Sequence, residues 1–242
     1  MSANIKTVPV AILCGGRGTR LQERTQSIPK ALVEIGGRPI LWHVIQIYVA
    51  QGFHSFLLLT GYRGEQVQEF VSGCEWPAGV EVRCIDTGLD TPTGGRLHLA
   101  AGELCTGQFC ATYADGVADI DLHALADYHA GRGSLATMTV VRPVLPFGVA
   151  ELNGDGFVRG FVEKPRSDSW VNGGFFCFEP GVFEFLREDS VLEREPLEQL
   201  AADGSLSAYL HEGFWDCMDT YKDAVELNDL WAQGEAPWKL WN

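Results

Sequence analysis

The sequence predicts an α/β protein, a Rossmann-like three-layer α/β/α arrangement around a mainly parallel, mixed central sheet. Three observations carry that expectation. Short apolar runs alternate with segments of helical periodicity over the first 140 residues, the pattern of parallel strands joined by crossover helices. The first apolar run ends in a glycine-rich stretch, GGRGTR, Gly15 to Arg20, and a later one ends in an acidic stretch, YADGVADID. Ligands of such sheets bind beyond the carboxyl ends of strands, so both stretches fall where a site is expected.

Each element has its own local reason. Val8 to Cys14 is a short apolar run ended by glycines, hence a buried strand. Pro39 suits the first turn of a helix that carries Ile40, Leu41, Val44, Ile45 and Tyr48 at helical spacing and stops at Gly52. Phe53 to Thr60 reads as the second strand. A short helical stretch runs through Phe70, and a strand follows near Val80 to Ile85. A helix is expected from Gly94 through Glu103, a buried strand at Phe109 to Ala114, and a helix from Leu122 to Ala130 capped by Asp121. Leu135 to Val141 returns as strand. In the second half, Val149 to Leu152 and Phe157 to Glu163 flank NGDG and read as a hairpin. NGGFFCFEP is a strand running into a helix at Pro180, Pro196 to Ala202 is another helix, and Asp219 is placed as the cap of a last helix, Tyr221 to Gln233. The tail APWKLWN follows, with Trp238 and Trp241 either exposed as a subunit contact or packed on their own domain.

Composition bounds the function. At 242 residues and 46% hydrophobic content, the chain is long enough for one sizeable domain, taken as 1–242. A formal charge of −14 argues against a nucleic-acid partner, whose footprint is a basic face. No apolar run approaches the roughly 18 residues that span a bilayer, and the N-terminus MSANIKTVPV lacks the apolar core of a signal peptide, so a cytoplasmic protein without membrane contact is expected. Seven cysteines without a CxxC pair indicate neither a zinc knuckle nor a disulfide framework. The six histidines lack metal-ligand spacing, and His43, inside an apolar helix, reads as a core residue. GxxxxGK[ST], GxGxxG and GxSxG are all absent, which removes the Walker loop, the dinucleotide fingerprint and the esterase elbow.

What remains points to phosphate. Gly15, Gly16 and Gly18 let backbone approach a ligand, and Arg17, Arg20 and Lys30 add positive charge. An acidic protein that binds polyphosphate needs such local cations, a metal, or both. Asp115 and Asp119, just past a buried strand, suit Mg²⁺, which takes one or two carboxylates plus phosphate oxygens; read alone, they serve turn chemistry equally well. TPTGGR, Thr91 to Arg96, is a second glycine loop at a helix start. In EKP, Lys164 suits the grip of a phosphate and Glu163 the acceptance of sugar hydroxyls; read alone, the stretch is better taken as a solvated turn. WDCMDT offers Asp219 as a distant second carboxylate.

GGRGTRL, PKALVEIGGRPILWH, TGYRG, DTGLDTPTGGRL, YADGVADID, VEKP, NGGFFCFEP and GFWDCMDTYKD occur in this order. The set resembles the sugar-1-phosphate nucleotidyltransferases, and among them the glucose-1-phosphate cytidylyltransferases, over nearly the whole chain. The resemblance implies a GT-A-like nucleotidyltransferase fold, with residues 1–140 as the nucleotide-binding half and 141–242 as the sugar-phosphate half and C-terminal helix. It implies Mg²⁺, CTP and a sugar 1-phosphate as substrates, and leaves a homo-oligomer open. Leu13, Gly15, Gly16, Gly18, Thr19, Arg20, Lys30, Thr93, Gly94, Arg96 and Asp115 are then expected around the nucleotide, with Arg20, Lys30 and Asp115 catalytic. Asp115 and Asp219 are expected to hold the metal, and Gly148, Glu163, Lys164, Asn172 and Gly173 to line the sugar phosphate. The segment between Phe70 and Asp86 is shorter than the family pattern, and IPKAL and YADGVAD depart from it. Another base, another sugar phosphate or a phosphonate acceptor therefore stays open. So do, further off, a glycosyltransferase that consumes nucleotide sugars and a non-catalytic binding protein.

Overall fold

A computed structural model describes residues 5–18 and 27–241. Thr19 and Arg20 lie outside the described residues. In chain order the strands are β1 (Pro9–Leu13), β2 (Glu34–Ile35), β3 (Arg38–Pro39), β4 (Ser55–Thr60), β5 (Glu81–Asp86), β6 (Phe109–Tyr113), β7 (Gly116–Ala118), β8 (Ala136–Val141), β9 (Val149–Leu152), β10 (Val158–Val162), β11 (Val171–Phe178), β12 (Leu206–Leu210) and β13 (Trp215–Cys217). The helices are α1 (Ile40–Val49), α2 (Gly64–Gly73), α3 (Thr93–Leu99), α4 (Ala101–Leu104), α5 (Leu122–Arg132), α6 (Glu195–Ala202) and α7 (Tyr221–Gln233).

Seven strands form one sheet in the order β12-β8-β11-β6-β1-β4-β5. β6, β1, β4 and β5 run parallel, as β12 and β8 do, and antiparallel β11 joins the two groups. The sheet is mixed and mainly parallel, as the sequence predicts. Alternate residues of β1 enter different cores. Val10 and Ile12 pack with α1, α5 and α7, whereas Ala11 and Leu13 pack with α3, α4 and α6. Burial on both faces explains why β1 reads as an unbroken apolar run. Among the described residues no helix is long and apolar enough to cross a membrane.

Several expectations are corrected. The helix expected from Gly94 through Glu103 breaks at Ala100, and the turn at Pro180 is a 3-10 helix, Pro180–Phe185. Asp219 does not cap α7; Thr220 does, accepting from the Asp223 N–H while the Asp223 carboxylate accepts from the Thr220 N–H. This reciprocal capping box leaves the Asp219 side chain to the site. Of the two readings of the tail, packing on its own domain is the one found for Trp238, which is fully buried and whose Nε1–H donates to His43 Nδ1 at 3.3 Å. The His43 Nε2 lies 2.9 Å from the Ile35 carbonyl. Burial pulls the His43 pKa down to about 4. His43 is thus the core residue the sequence suggested, and the tail folds back onto α1.

Candidate active site

Two cavities meet at the carboxyl ends of β1 and β6. The first, about 350 Å³, is lined by Gly15, Gly16, Gly18, Lys30, Thr93 and Asp115, with Leu13 and Arg96 in its wall. The second, about 430 Å³, is lined by Asn172, Gly173, Glu193, Trp215, Asp219 and Asp115. Tyr113 and Asp115 belong to both. Each volume suits a small organic ligand.

The glycine loop is shaped by a buried arginine. Arg96, on α3, is 4% exposed and donates from Nη1 to the Thr60 carbonyl (2.8 Å), Thr87 Oγ1 (2.6 Å) and the Gly88 carbonyl (2.9 Å), and from Nη2 to the Gly15 carbonyl (3.1 Å). A Cβ on Gly15 would stand 2.1 Å from the Arg96 guanidinium carbon, so only glycine fits. Gly16 has open space in front of it, and Gly18 adopts φ +60°. Arg96 lies in the cavity wall, but these four bonds make it a brace of the loop rather than a free phosphate hook. Gly94 is not at the cavity surface; it is buried against Ser190 and Leu192, where a Cβ would meet Ser190 at 2.9 Å. Thr93 is drawn into the wall itself, donating to Glu193 Oε2 at 2.6 Å.

The charged centre is assembled from three distant segments. Lys30 opens a 3-10 helix after Pro29, Asp115 follows β6, and Asp219 follows β13. β13 pairs antiparallel with β7, placing Cys217 opposite Gly116, and the Met218 N–H donates to the Asp115 carbonyl at 2.9 Å. That short ladder brings two aspartates 104 positions apart in sequence to one point. Lys30 Nζ lies 2.6 Å from Asp115 Oδ2 and 2.5 Å from Asp219 Oδ1, with 14% of its side chain exposed. Burial alone would lower the Lys30 pKa; the two carboxylates outweigh it, so the pKa is raised and the side chain stays charged. Asp119, the other carboxylate of YADGVAD, does not join them. It accepts from the Phe214 N–H at 2.7 Å and lies 3.1 Å from His211 Nε2, so it serves the turn before β13.

Of the residues expected around a sugar phosphate, Asn172 and Gly173 line the second cavity. Lys164, at φ +47°, lines a neighbouring cavity that shares Trp215 with it. Gly148 faces Glu163 and Phe161, since a Cβ there would meet the Glu163 carboxylate at 2.7 Å; neither Gly148 nor Glu163 lines these cavities.

Sequence reasoning missed Tyr113 and Glu193. The Tyr113 hydroxyl donates to the Glu193 carboxylate and accepts from Asn172 Nδ2 at 3.3 Å. Burial first, and the Glu193 charge second, push the Tyr113 phenol pKa up, so it stays protonated. Glu193 thereby ties Thr93 of the first cavity to Tyr113 and Asn172 of the second. The tyrosine within YADG was available as a signal; Glu193, in an acidic stretch, carried none.

The nucleotidyl transferase family model matches residues 10–232. A Bacillus subtilis protein named "probable glucose-1-phosphate cytidylyltransferase" is 42% identical, with 95% of this chain and 98% of that protein covered. Glucose-1-phosphate cytidylyltransferase of Salmonella typhimurium is 41% identical over the same shares. Among solved structures, HddC from Yersinia pseudotuberculosis aligns with a TM-score of 0.74 at 20% identity, over 93% of this chain and all of that one. That likeness concerns the fold.

Proposed function

This chain belongs to the nucleotidyl transferase family, and from that premise we propose that it transfers a cytidylyl group from CTP to α-D-glucose 1-phosphate, giving CDP-glucose and pyrophosphate. The observation that carries the reading is the pair of cavities sharing Asp115, with Lys30 at their junction. A two-substrate transfer needs both anions brought to one charged point. CTP and glucose are read from the relatives above, at 41–42% identity over nearly full length. The triphosphate substrate fits a cytoplasmic enzyme.

We assign the first cavity to the nucleotide, its phosphates against the backbone of Gly15, Gly16 and Gly18, and the second to the sugar phosphate. A phosphate monoester has a second pKa of about 6, so the nucleophile is already ionised and no general base is required. The residues must instead hold two mutually repelling anions in line and offset the charge on departing pyrophosphate. Lys30 offers a fixed, buried cation for that charge. Asp115 and Asp219 fit Mg²⁺, since both carboxylates converge on one point and leave other positions to phosphate oxygens and water. Bound there, Mg²⁺ would polarise the phosphate oxygens as a Lewis acid. Tyr113, held by Glu193 and Asn172, lines both cavities and would position the two substrates against each other. Arg20 lies outside the described residues and is retained as a phosphate contact by family resemblance.

The deciding experiment follows pyrophosphate release with Mg²⁺, offering CTP, UTP, GTP, ATP and dTTP in turn with α-D-glucose 1-phosphate. Release with CTP alone is expected. Release with another nucleotide would overturn the base assignment, and silence with all five would overturn the acceptor.

A further inference from the structure

Asparagine is a poor helix former, because its short amide competes for backbone groups, yet Asn228 stands in the middle of α7. Its side chain reaches a distant segment. Nδ2 donates to the Glu34 carbonyl at 3.1 Å and to the Ala224 carbonyl of its own helix at 2.7 Å, while Oδ1 accepts from the Gly36 N–H at 2.9 Å. One amide thus grips the turn between β2 and β3 at two backbone groups.

That turn is too small to hold its own place. β2 and β3 have two residues each, joined by Gly36 and Gly37 at φ +60° and +75°, the geometry of a two-residue hairpin turn. So short a ladder is not stable alone in water, and what packs on it sets its position. Trp231, the next turn along α7, lies so close that a Cβ on Gly36 would stand 2.0 Å from its ring. His43 adds the bond to the Ile35 carbonyl.

The same unit carries Lys30. The Val33 N–H closes the 3-10 helix Lys30–Leu32 on the Lys30 carbonyl at 3.1 Å, and β2 begins at the next residue. The Ile40 N–H then donates to the Val33 carbonyl at 2.9 Å, which ties residues 30–40 together. At the start of α7, the Asp219 N–H donates to the Asp223 carboxylate at 3.0 Å, so the partner of Lys30 is anchored to the first turn of the helix. From the cap Thr220 to Asn228 the axis runs about 12 Å. One rigid helix therefore fixes both the carboxylate that Lys30 Nζ meets at 2.5 Å and the turn beside the segment from which the lysine extends.

We propose that Asn228 is a positioning residue, which locks the β2–β3 turn to α7 and thereby holds the Lys30 ammonium at the junction of the two cavities. The proposal rests on the reading of Lys30 as the fixed cation of the transfer. Misplacing a group by about 1 Å costs on the order of a hundredfold in rate. His43 and Trp231 still hold the turn when the amide is lost, so about tenfold is expected.

A double-mutant cycle of Asn228→Leu and Lys30→Met tests it, read by pyrophosphate release with Mg²⁺, CTP and α-D-glucose 1-phosphate. Asn228→Leu is expected to lower kcat about tenfold and to leave each KM within about twofold. In Lys30→Met it is expected to have no further effect, because residues that act as one unit are not additive. A second fall of similar size on top of Lys30→Met would overturn the proposal, as would an unchanged kcat in Asn228→Leu. A wild-type rate in Lys30→Met would overturn the reading of Lys30 itself. Near-UV circular dichroism checks the fold, and Asn228→Ala is a second variant with the same expectation. Modification of lysines by acetic anhydride, followed by mass spectrometry, gives a readout without turnover. Lys30, with 14% of its side chain exposed, is expected to react at least about threefold faster in Asn228→Leu, while exposed Lys6, Lys222 and Lys239 are unchanged. Unchanged labelling of Lys30, or an equal rise at all four lysines, would overturn the proposal.

Discussion

Replacing Lys30 by methionine keeps the stem and removes the charge, and the geometry predicts two effects of opposite sign. Nζ sits 2.6 Å from Asp115 Oδ2 and 2.5 Å from Asp219 Oδ1. At an effective dielectric of 20, such a pair is worth on the order of 4 kcal/mol even at 4 Å, an upper figure here because the carboxylates are partly solvated. Discounting most of it leaves about 1.4 kcal/mol, so the variant should bind Mg²⁺ about tenfold more tightly in the absence of nucleotide. Turnover should move the other way. If a metal neutralises the aspartates, as proposed, the ammonium would become available to the phosphates, and losing one fixed charge at reacting phosphates costs roughly 3 kcal/mol, about a hundredfold in rate. Calorimetric Mg²⁺ titration reads the first effect and pyrophosphate release at saturating substrates the second, with thermal melting to check the fold. A folded variant turning over near the wild-type rate would refute the assignment of Lys30. Weaker metal binding would refute the competition between lysine and metal.

Three further outcomes are expected. Arg96→Met should destabilise the protein by about 2–3 kcal/mol, because it removes a donor from the buried Gly15 and Thr60 carbonyls and from the part-buried Gly88 carbonyl; denaturant unfolding reads this, and the nucleotide KM should rise as the loop loosens. Asp216→Asn should stabilise the protein at neutral pH. Burial raises the Asp216 pKa from 3.8 to about 6, so the folded state holds the proton more tightly and stability falls as pH rises through that interval. The gain of about 1–3 kcal/mol should be present at pH 7 and vanish near pH 4, as melting curves across pH would show; a gain independent of pH would exclude this origin. Glu193→Gln should raise the KM for both substrates more than it lowers kcat, because its carboxylate is engaged in holding Thr93 of one cavity and Tyr113 of both in place; steady-state kinetics with each substrate varied would show the split.

The sheet strands and α1 were legible because their burial imposes a pattern: unbroken apolar runs where both faces are covered, and helical spacing where one is. β7 and β13 were not, since three residues carry no period, yet their ladder is what joins Asp115 to Asp219. β12 went unseen although Asp203-Gly204-Ser205 marks a turn before it: LSAYL is short, lies at the sheet edge and buries none of its residues fully, so no burial pattern sets it apart. Asp219 was misread as a cap because Thr220 stands beside it and either residue type can cap a helix. Asp115 and Asp119 looked equivalent in YADGVAD; only the chain returning at Phe214 distinguishes them, by claiming the Asp119 carboxylate. The two readings of the tail tryptophans stayed open because nothing local to APWKLWN announces the pocket between α1 and α7 that accepts Trp238.

The net charge of −14 bears on how such a site takes up a triphosphate. A permanent cluster of free cations would solve the attraction, but Lys30 is committed to two carboxylates and Arg96 to four oxygens. Among the described residues, Lys30 with Asp115 and Asp219 therefore leaves no net positive charge, and a bare triphosphate gains little from that trio. A triphosphate arriving with its metal changes both sides of the balance. If Asp115 and Asp219 hold that cation, as proposed above, Lys30 would be displaced from them and left to meet the incoming negative charge. On this proposal the aspartates would also keep the lysine masked until a metal nucleotide arrives. Affinity for CTP should then depend on Mg²⁺ far more steeply in wild type than in Lys30→Met, where there is no masked charge to release.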